Sequence, residues 1–309
     1  MSKEKLAIII PTKERSARLE RLLESMRGGE TLPSQIVIVD GGRVPSKDLP
    51  DRFSDLPISY VHSTPPSLTV QRNSGLKHLK NDITLVGFFD DDVIPAKDAV
   101  KNMIRFWESA SPDTGGAGFN VTNFPYEKPS TLEKIFLVNA DNSGRILRSG
   151  FQSKFYVHEK TEAVDWIVGC GMVWRKSIFE EFRFDEWFSG YARYEEIDFS
   201  YRVGRKYKMF IVEDARIEHL NSLENIDFSF TLGKMQIMNR LYFVKKNKGL
   251  SVPLCYWACL GLFVNNLLKG LSSSDRKRYL RRSGGNIAGF LRHFSSSLRV
   301  PRSGAKQSR

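Results

Sequence analysis

Three consecutive carboxylates, Asp90, Asp91 and Asp92, follow the apolar run "ITLVGFF" and precede "VIP". Carboxylates crowded at the end of a buried segment repel one another and lose solvation, so they are costly unless positive charge lies on them. A divalent cation relieves that cost and keeps the group ionised. Oxygen ligands select a hard ion, Mn²⁺ or Mg²⁺, which takes one or two protein carboxylates and completes its shell with water and phosphate oxygens. The triplet therefore points to a metal and diphosphate site. A plainer reading stands beside it: an acidic turn capping the helix expected over "PAKDAVKNMIRFW".

The elements that must position this triplet alternate along the first half of the chain. "LAIIIP", "QIVIVD", "ISYVHS" and "ITLVGFFD" read as short β-branched or aromatic strands, with "RSARLERLLESM" and "LTVQRNSGLKHL" as helices. Strand and helix in turn imply right-handed crossovers and a mostly parallel sheet with helices on both faces. Ligands bind such sheets at the carboxyl ends of the strands. Pro11 with Thr12, Asp40 with two glycines, and the aspartate triplet all fall at those ends. Beyond residue 115 the pattern loosens. "VDWIVGCGMVWRKSIF" then reads as strand, glycine turn, strand and helix start, "YEEIDFSYRVGRKY" as a helix, "KMFIVEDARIEHL" as one or two strands, and "DFSFTLGKMQIMNRLYFVKKN" as a helix.

The 309 residues carry a net charge of +12, and its location matters more than its size. Residues 240–309 hold 15 Lys or Arg against Asp275 alone, leaving 32 basic and 34 acidic side chains in the rest. A near-neutral body of residues 1–239 thus precedes a basic, partly apolar extension, 240–309. Within the extension, "VPLCYWACLGLFV" is free of charge, but Pro253, Asn265, Asn266 and Lys269 interrupt the run needed for a spanning helix. A helix lying on an anionic membrane surface fits the flanking "KKNK" and "DRKRYLRR"; a buried core helix with a solvated tail is the alternative. Cys170, Cys255 and Cys259 show neither disulfide nor zinc spacing, and the N-terminal apolar run is short for a signal peptide, so the expected setting is cytoplasmic.

Taken in order, "PTKERSARLERLL", "VDGG", "QRNSG", "FFDDDV", "GCGMVWRKSIF" and "YEEIDFSYR" resemble the inverting family two glycosyltransferases, which have the GT-A fold. The resemblance runs from Leu6 to His219. It implies that Pro11, Thr12, Glu14 and Arg15 contact the nucleotide, with Glu14 replacing the family's usual Asn or Asp. Asp40 would meet the nucleobase, and Arg72 and Asn73, opening the helix before the aspartate motif, would bind the nucleotide-sugar, Arg72 by countering phosphate charge. Asp90 would face the ribose and Asp92 the metal, with Asp91 undecided and His219 completing the metal or diphosphate site. Gly169 and Gly171 would floor the acceptor side, with Glu195 beside them and Trp187 a stacking candidate along with Trp166 and Tyr191.

Inversion at a sugar carbon needs a carboxylate opposite the leaving group to take the acceptor's proton. The family uses the Asp of a Glu-Asp pair at a helix start; here the pair is Glu195 and Glu196, so Glu196 would be the base, one methylene longer. Glu195 or Asp198 are the alternatives, as is a first turn made acidic by the helix dipole. The implied function is transfer of a sugar from a nucleotide-sugar to a saccharide or lipid-linked acceptor, with Mn²⁺ or Mg²⁺. A sugar nucleotidyltransferase is the first competing reading, weakened because "PTKERSARL" lacks a glycine-rich loop. A non-catalytic protein using its basic tail is the second. Nucleic acid is a poor partner for that tail, since its aromatics are not interleaved with its cations.

Overall fold

The run Leu6–Thr12 is buried at every position, as is Gln35–Asp40 and Leu85–Phe89. Only strands covered on both faces read this way. The computed structural model describes residues 4–44, 46–125, 128–220 and 227–295. Its strands are β1 (Leu6–Thr12), β2 (Gln35–Asp40), β3 (Ile58–His62), β4 (Leu85–Phe89), β5 (Val93–Pro95), β6 (Thr114–Val121), β7 (Glu162–Ala163), β8 (Gly171–Arg175) and β9 (Lys208–His219). Its helices are α1 (Ser16–Arg27), α2 (Leu49–Arg52), α3 (Leu68–Gly75), α4 (Ala99–Ser109), α5 (Thr131–Ile135), α6 (Ile178–Glu181), α7 (Glu195–Val203), α8 (Phe228–Lys246), α9 (Val252–Ser272) and α10 (Arg276–Ser295).

All strands join one sheet in the order β3-β2-β1-β4-β8-β6-β9-β5, with β7 paired to β9. The first four run parallel, as the alternating pattern requires. β8 then enters antiparallel to both β4 and β6, so the sheet is mixed beyond β4. The core on one side is built from Leu19, Leu22, Leu23 and Met26 of α1 against Leu6, Ile8 and Ile10 of β1. The strand expected over residues 164–168, before the glycine turn, does not form; the two-residue β7 lies just ahead of it. That segment takes its bonds elsewhere: the Ile167 amide donates to the Ser200 hydroxyl at 3.2 Å, and the Gly169 carbonyl accepts from Arg72 at 2.9 Å.

Contacts divide the chain into two units, residues 1–126 with 155–221, and 127–154 with 222–309. The boundary expected after residue 239 falls inside α8, which is buried on both sides of it through Ile237, Leu241 and Phe243. In the second unit, α8, α9 and α10 pack together. Gly285 on α10 allows a close crossing with α8, since a Cβ there would lie 2.1 Å from the Phe230 carbonyl oxygen. Asn286 donates to the Gly233 carbonyl of α8 at 2.7 Å and accepts from Asn266 of α9 at 2.9 Å, a polar latch across three helices.

Candidate active site

Parallel register places Thr12 beside Asp40, and β4 ends one residue before Asp90. Three strand ends thus share one edge. The helix-capping reading of the triplet does not hold: β5 separates it from α4, whose N-terminal flank is Asp98.

Each aspartate has its own surroundings. Asp91 turns back onto the first strand, accepting from the Thr12 hydroxyl at 2.7 Å and from Arg15 at 3.1 Å. Burial pushes its carboxyl up to about 6, with Thr12 and Arg15 opposing and Asp92 adding to the rise. Asp92 accepts from Arg18 at 2.9 Å, and its other oxygen lies 3.0 Å from Nε2 of His219. Burial works against its charge, but His219, Arg15 and Arg18 outweigh it and hold this carboxyl below the ordinary range. His219 faces Val93 across the β5–β9 pair, and Asn123 brackets its backbone with two hydrogen bonds of 2.8 and 3.0 Å.

Asp90 belongs to a second, deeper network. Arg72, fully buried on α3, donates to Asp90 at 3.3 Å and to the Gly169 carbonyl at 2.9 Å, and pairs closely with Glu195. A Cβ at Gly169 would lie 3.3 Å from the Arg72 guanidinium and 3.4 Å from Cβ of Glu196, so a larger residue would crowd both. Burial pushes the Glu195 carboxyl up, against the pull of Arg72 and with a further push from Glu196. Arg72→Met strands Glu195, Asp90 and a carbonyl together. It is expected to lower the unfolding free energy in urea by roughly 3–5 kcal/mol, and Arg72→Met with Glu195→Met to recover part of that loss.

The acidic start of α7 sorts itself by direction. Glu195 is committed to Arg72, and Asp198, fully buried, accepts from Arg202 at 2.9 Å one turn on. Glu196 stays half-buried. Burial raises its carboxyl, opposed by its own backbone amide and by the charges of Arg72 and Arg193, while Asp90 adds to the rise. The approach to the helix is bent: Gly190, Ala192 and Tyr194 all have positive φ, and Tyr194, at 78°, is a costly conformation for an aromatic residue.

Asp40 accepts from the Gly42 and Ser46 amides and from the Tyr60 hydroxyl, at 2.7, 3.0 and 2.7 Å, so it organises the loop after β2. Glu14, at positive φ, accepts from the Arg43 amide at 3.4 Å and ties the two strand-end loops together. Pro11 is buried in β1 opposite Val39. Other expected residues are not drawn into this edge. Asn73 exchanges hydrogen bonds with the backbone of Phe184, and Gly171 packs beneath Ile217 within the sheet. Trp187 sits edge-on to Phe188 in the segment before α7, Trp166 is buried on Phe155, and Tyr191 is exposed.

Three contributors are not picked out as site residues from the sequence, although Arg18 and Gln71 lie within two of the motifs. Arg18 lies one turn beyond Arg15 on α1, a spacing that could have revealed it. Gln71, which bonds the Thr12 and Val39 carbonyls at 2.9 and 2.7 Å, and Asn123 carry no such signal.

Asp90, expected at the ribose, instead groups with Asp92 and His219: the three offer ligand atoms that all lie within 4.8 Å of one another. Two carboxylates and an imidazole suit Mn²⁺, or Mg²⁺ with fewer protein ligands, so the donor set fits a divalent ion.

Residues 7–183 match the model of a family described as glycosyl transferase family 2. Glu195, Glu196 and His219 lie beyond the matched stretch. No curated protein matches the chain. Among solved structures, a mannosyltransferase of Pyrobaculum calidifontis, PcManGT, in complex with GDP-Man and Mn²⁺, superposes with a TM-score of 0.56 at 13% identity, over 94% of this chain and 87% of that one. S. aureus TarS (1–349) gives a TM-score of 0.53 at 12% identity, covering 92% of this chain and 80% of that one. Its complex with UDP-GlcNAc gives 0.51 at 12% identity, covering 92% and 81%. At these identities the likeness is one of fold.

Proposed function

Because the chain belongs to glycosyl transferase family 2, we propose that it moves a sugar, with inversion, from a nucleoside diphosphate donor to a hydroxyl of a saccharide or lipid-linked acceptor. The observation that carries this reading is the meeting of Asp90, Asp92 and His219 at the strand ends, with Glu196 close enough to Asp90 for their charges to interact. Mn²⁺ in one fold neighbour and nucleotide-sugars in two support it.

In this reading Thr12, Asp40 and the loop from Glu14 frame the nucleoside, while Arg15 and Arg18 face the diphosphate. Asp90, Asp92 and His219 hold the ion, which when bound supplies positive charge against the leaving diphosphate. Glu196 accepts the proton of the acceptor hydroxyl as its oxygen bonds to the anomeric carbon; the bond from that carbon to the phosphate oxygen breaks, its electron pair leaving with the nucleoside diphosphate. Glu195 and Asp198 are committed to arginines and serve as supports. The protein would work in the cytoplasm at the inner membrane face, in assembly of a polysaccharide, glycolipid or glycan.

A panel of UDP- and GDP-sugars assayed for hydrolysis and transfer tests this. Turnover of at least one donor with Mn²⁺ or Mg²⁺ is expected, falling by about two orders of magnitude or more with chelator. Full turnover in chelator would remove the ion from the site, and no turnover of any donor in either condition would oppose the reading itself.

A further inference from the structure

Helix α9 is the one helix among the described residues long and apolar enough to cross a membrane by length and composition. Its surroundings argue for another use. Cys255, Ala258, Cys259, Asn266 and Gly270 are buried and recur on one face. On the opposite face, Trp257, Leu260, Leu267, Leu268 and Leu271 are exposed, Leu271 by 62%; at the start of this face Trp257 also stacks on Phe136 and donates to the Ile135 carbonyl, and Gly261 is buried against Phe136. At 100° per residue the five exposed residues fall within an arc of about 100°, a stripe about 21 Å long. A spanning helix needs lipid-compatible surface all round, and α9 instead spends its other face on α8 and α10, with Asn266 latched to Asn286.

Helix α10 carries a matching stripe. Ile287, Leu291 and Phe294 are exposed on one face, Leu291 by 65% and Phe294 by 72%. The two stripes belong to one hairpin, since Phe294 stacks on Tyr256 with ring centroids 6.0 Å apart. The charge around them is of one sign: between residues 252 and 295 there are seven Lys or Arg and a single Asp, and Arg276 and Lys277 are exposed at the turn. Such a surface is complementary to anionic lipid. It would repel a second copy of itself, and it offers an acidic protein few polar groups of its own between the apolar rows.

We propose that the α9–α10 hairpin is a monotopic membrane-docking element, lying in the plane of an anionic bilayer with both apolar stripes in the acyl boundary and the turn cations at the headgroups. This deepens the reading of a membrane-borne acceptor and rests on it for its purpose, though the docking is measurable without any donor or acceptor.

Flotation of the full chain with vesicles of phosphatidylcholine containing about 30 per cent phosphatidylglycerol tests it. The wild type should float, and a fraction should remain bound in about 0.5 M salt, where purely electrostatic attachment is screened. Leu260→Glu with Leu268→Glu, and separately Leu291→Glu, change exposed positions and should each reduce binding at least about tenfold, with donor hydrolysis in vesicle-free buffer unchanged. Variants that float like the wild type, or binding lost entirely in high salt, would leave only the charged tail as the anchor. Resistance of bound protein to alkaline extraction would mean a spanning helix. Either result overturns the hairpin, as would failure of the wild type to float, and none of them touches the donor assay that tests sugar transfer.

Discussion

Glu196→Gln should cut the rate of sugar transfer by about three orders of magnitude while changing donor affinity by less than about twofold. The substitution keeps the shape and removes only the basicity. Its neighbours make the choice specific. Consecutive residues on a helix point about 100° apart, so the two glutamates that start α7 face different surroundings. Glu195 turns into the Arg72 network, and Glu196 is left half-buried beside it. Burial raises the Glu196 carboxyl, and its own amide, Arg72 and Arg193 only partly offset this. A base must be ionised, so wild-type transfer should fall as the pH drops through that raised value, above the ordinary Glu range; the residual activity of Glu196→Gln should lack this dependence. Glu196→Asp restores the residue type that the family pattern places here, and should keep more than about a tenth of the rate. Retained turnover in Glu196→Gln would move the base elsewhere. Loss of donor binding along with turnover would make Glu196 a structural residue.

The same helical geometry explains what could and could not be read from the sequence. The strands declared themselves because β1, β2 and β4 are apolar at almost every position, and a run of that kind has few alternatives to a covered parallel strand. The edge bearing Thr12, Asp40 and Asp90 followed from strand direction alone. Asn73 did not follow: adjacency to Arg72 in the sequence puts it on another side of α3, where it holds Phe184. The Arg72–Glu195 pair joins residues 123 positions apart, and β8 slips antiparallel between β4 and β6. Pairings of that range are set by the assembled sheet, and no local pattern encodes them. Asp91 shows the limit at its finest, since three identical side chains in a row gave no means of saying that the middle one turns back to Thr12.

Asp92→Asn should abolish stabilisation by Mn²⁺ and lower metal-dependent transfer by about three orders of magnitude. The charge balance around Asp92 makes the form of this effect predictable. Asp90, Asp91 and Asp92 face Arg15, Arg18 and Arg72, the last shared with Glu195, so much of the carboxylate charge at the strand ends is balanced before any ligand arrives. A divalent ion entering alone must sit among these guanidiniums and draw Asp92 away from Arg18 and His219. A nucleoside diphosphate brings the negative charge that both the ion and the freed arginines need. Ion and diphosphate should therefore bind with positive linkage: Mn²⁺ should bind at least about tenfold more tightly in the presence of UDP or GDP than without, and by reciprocity the nucleotide should gain equally from Mn²⁺. Titration calorimetry in both orders measures this. Asp92→Asn should erase the linkage, and the melting temperature without metal should fall, since Arg18 and His219 lose the carboxylate they hold below its ordinary range, with relief of Asp91 returning only part of that. An ion that binds equally well with and without nucleotide, or an Asp92→Asn protein that keeps the linkage, would place the cation elsewhere on this edge.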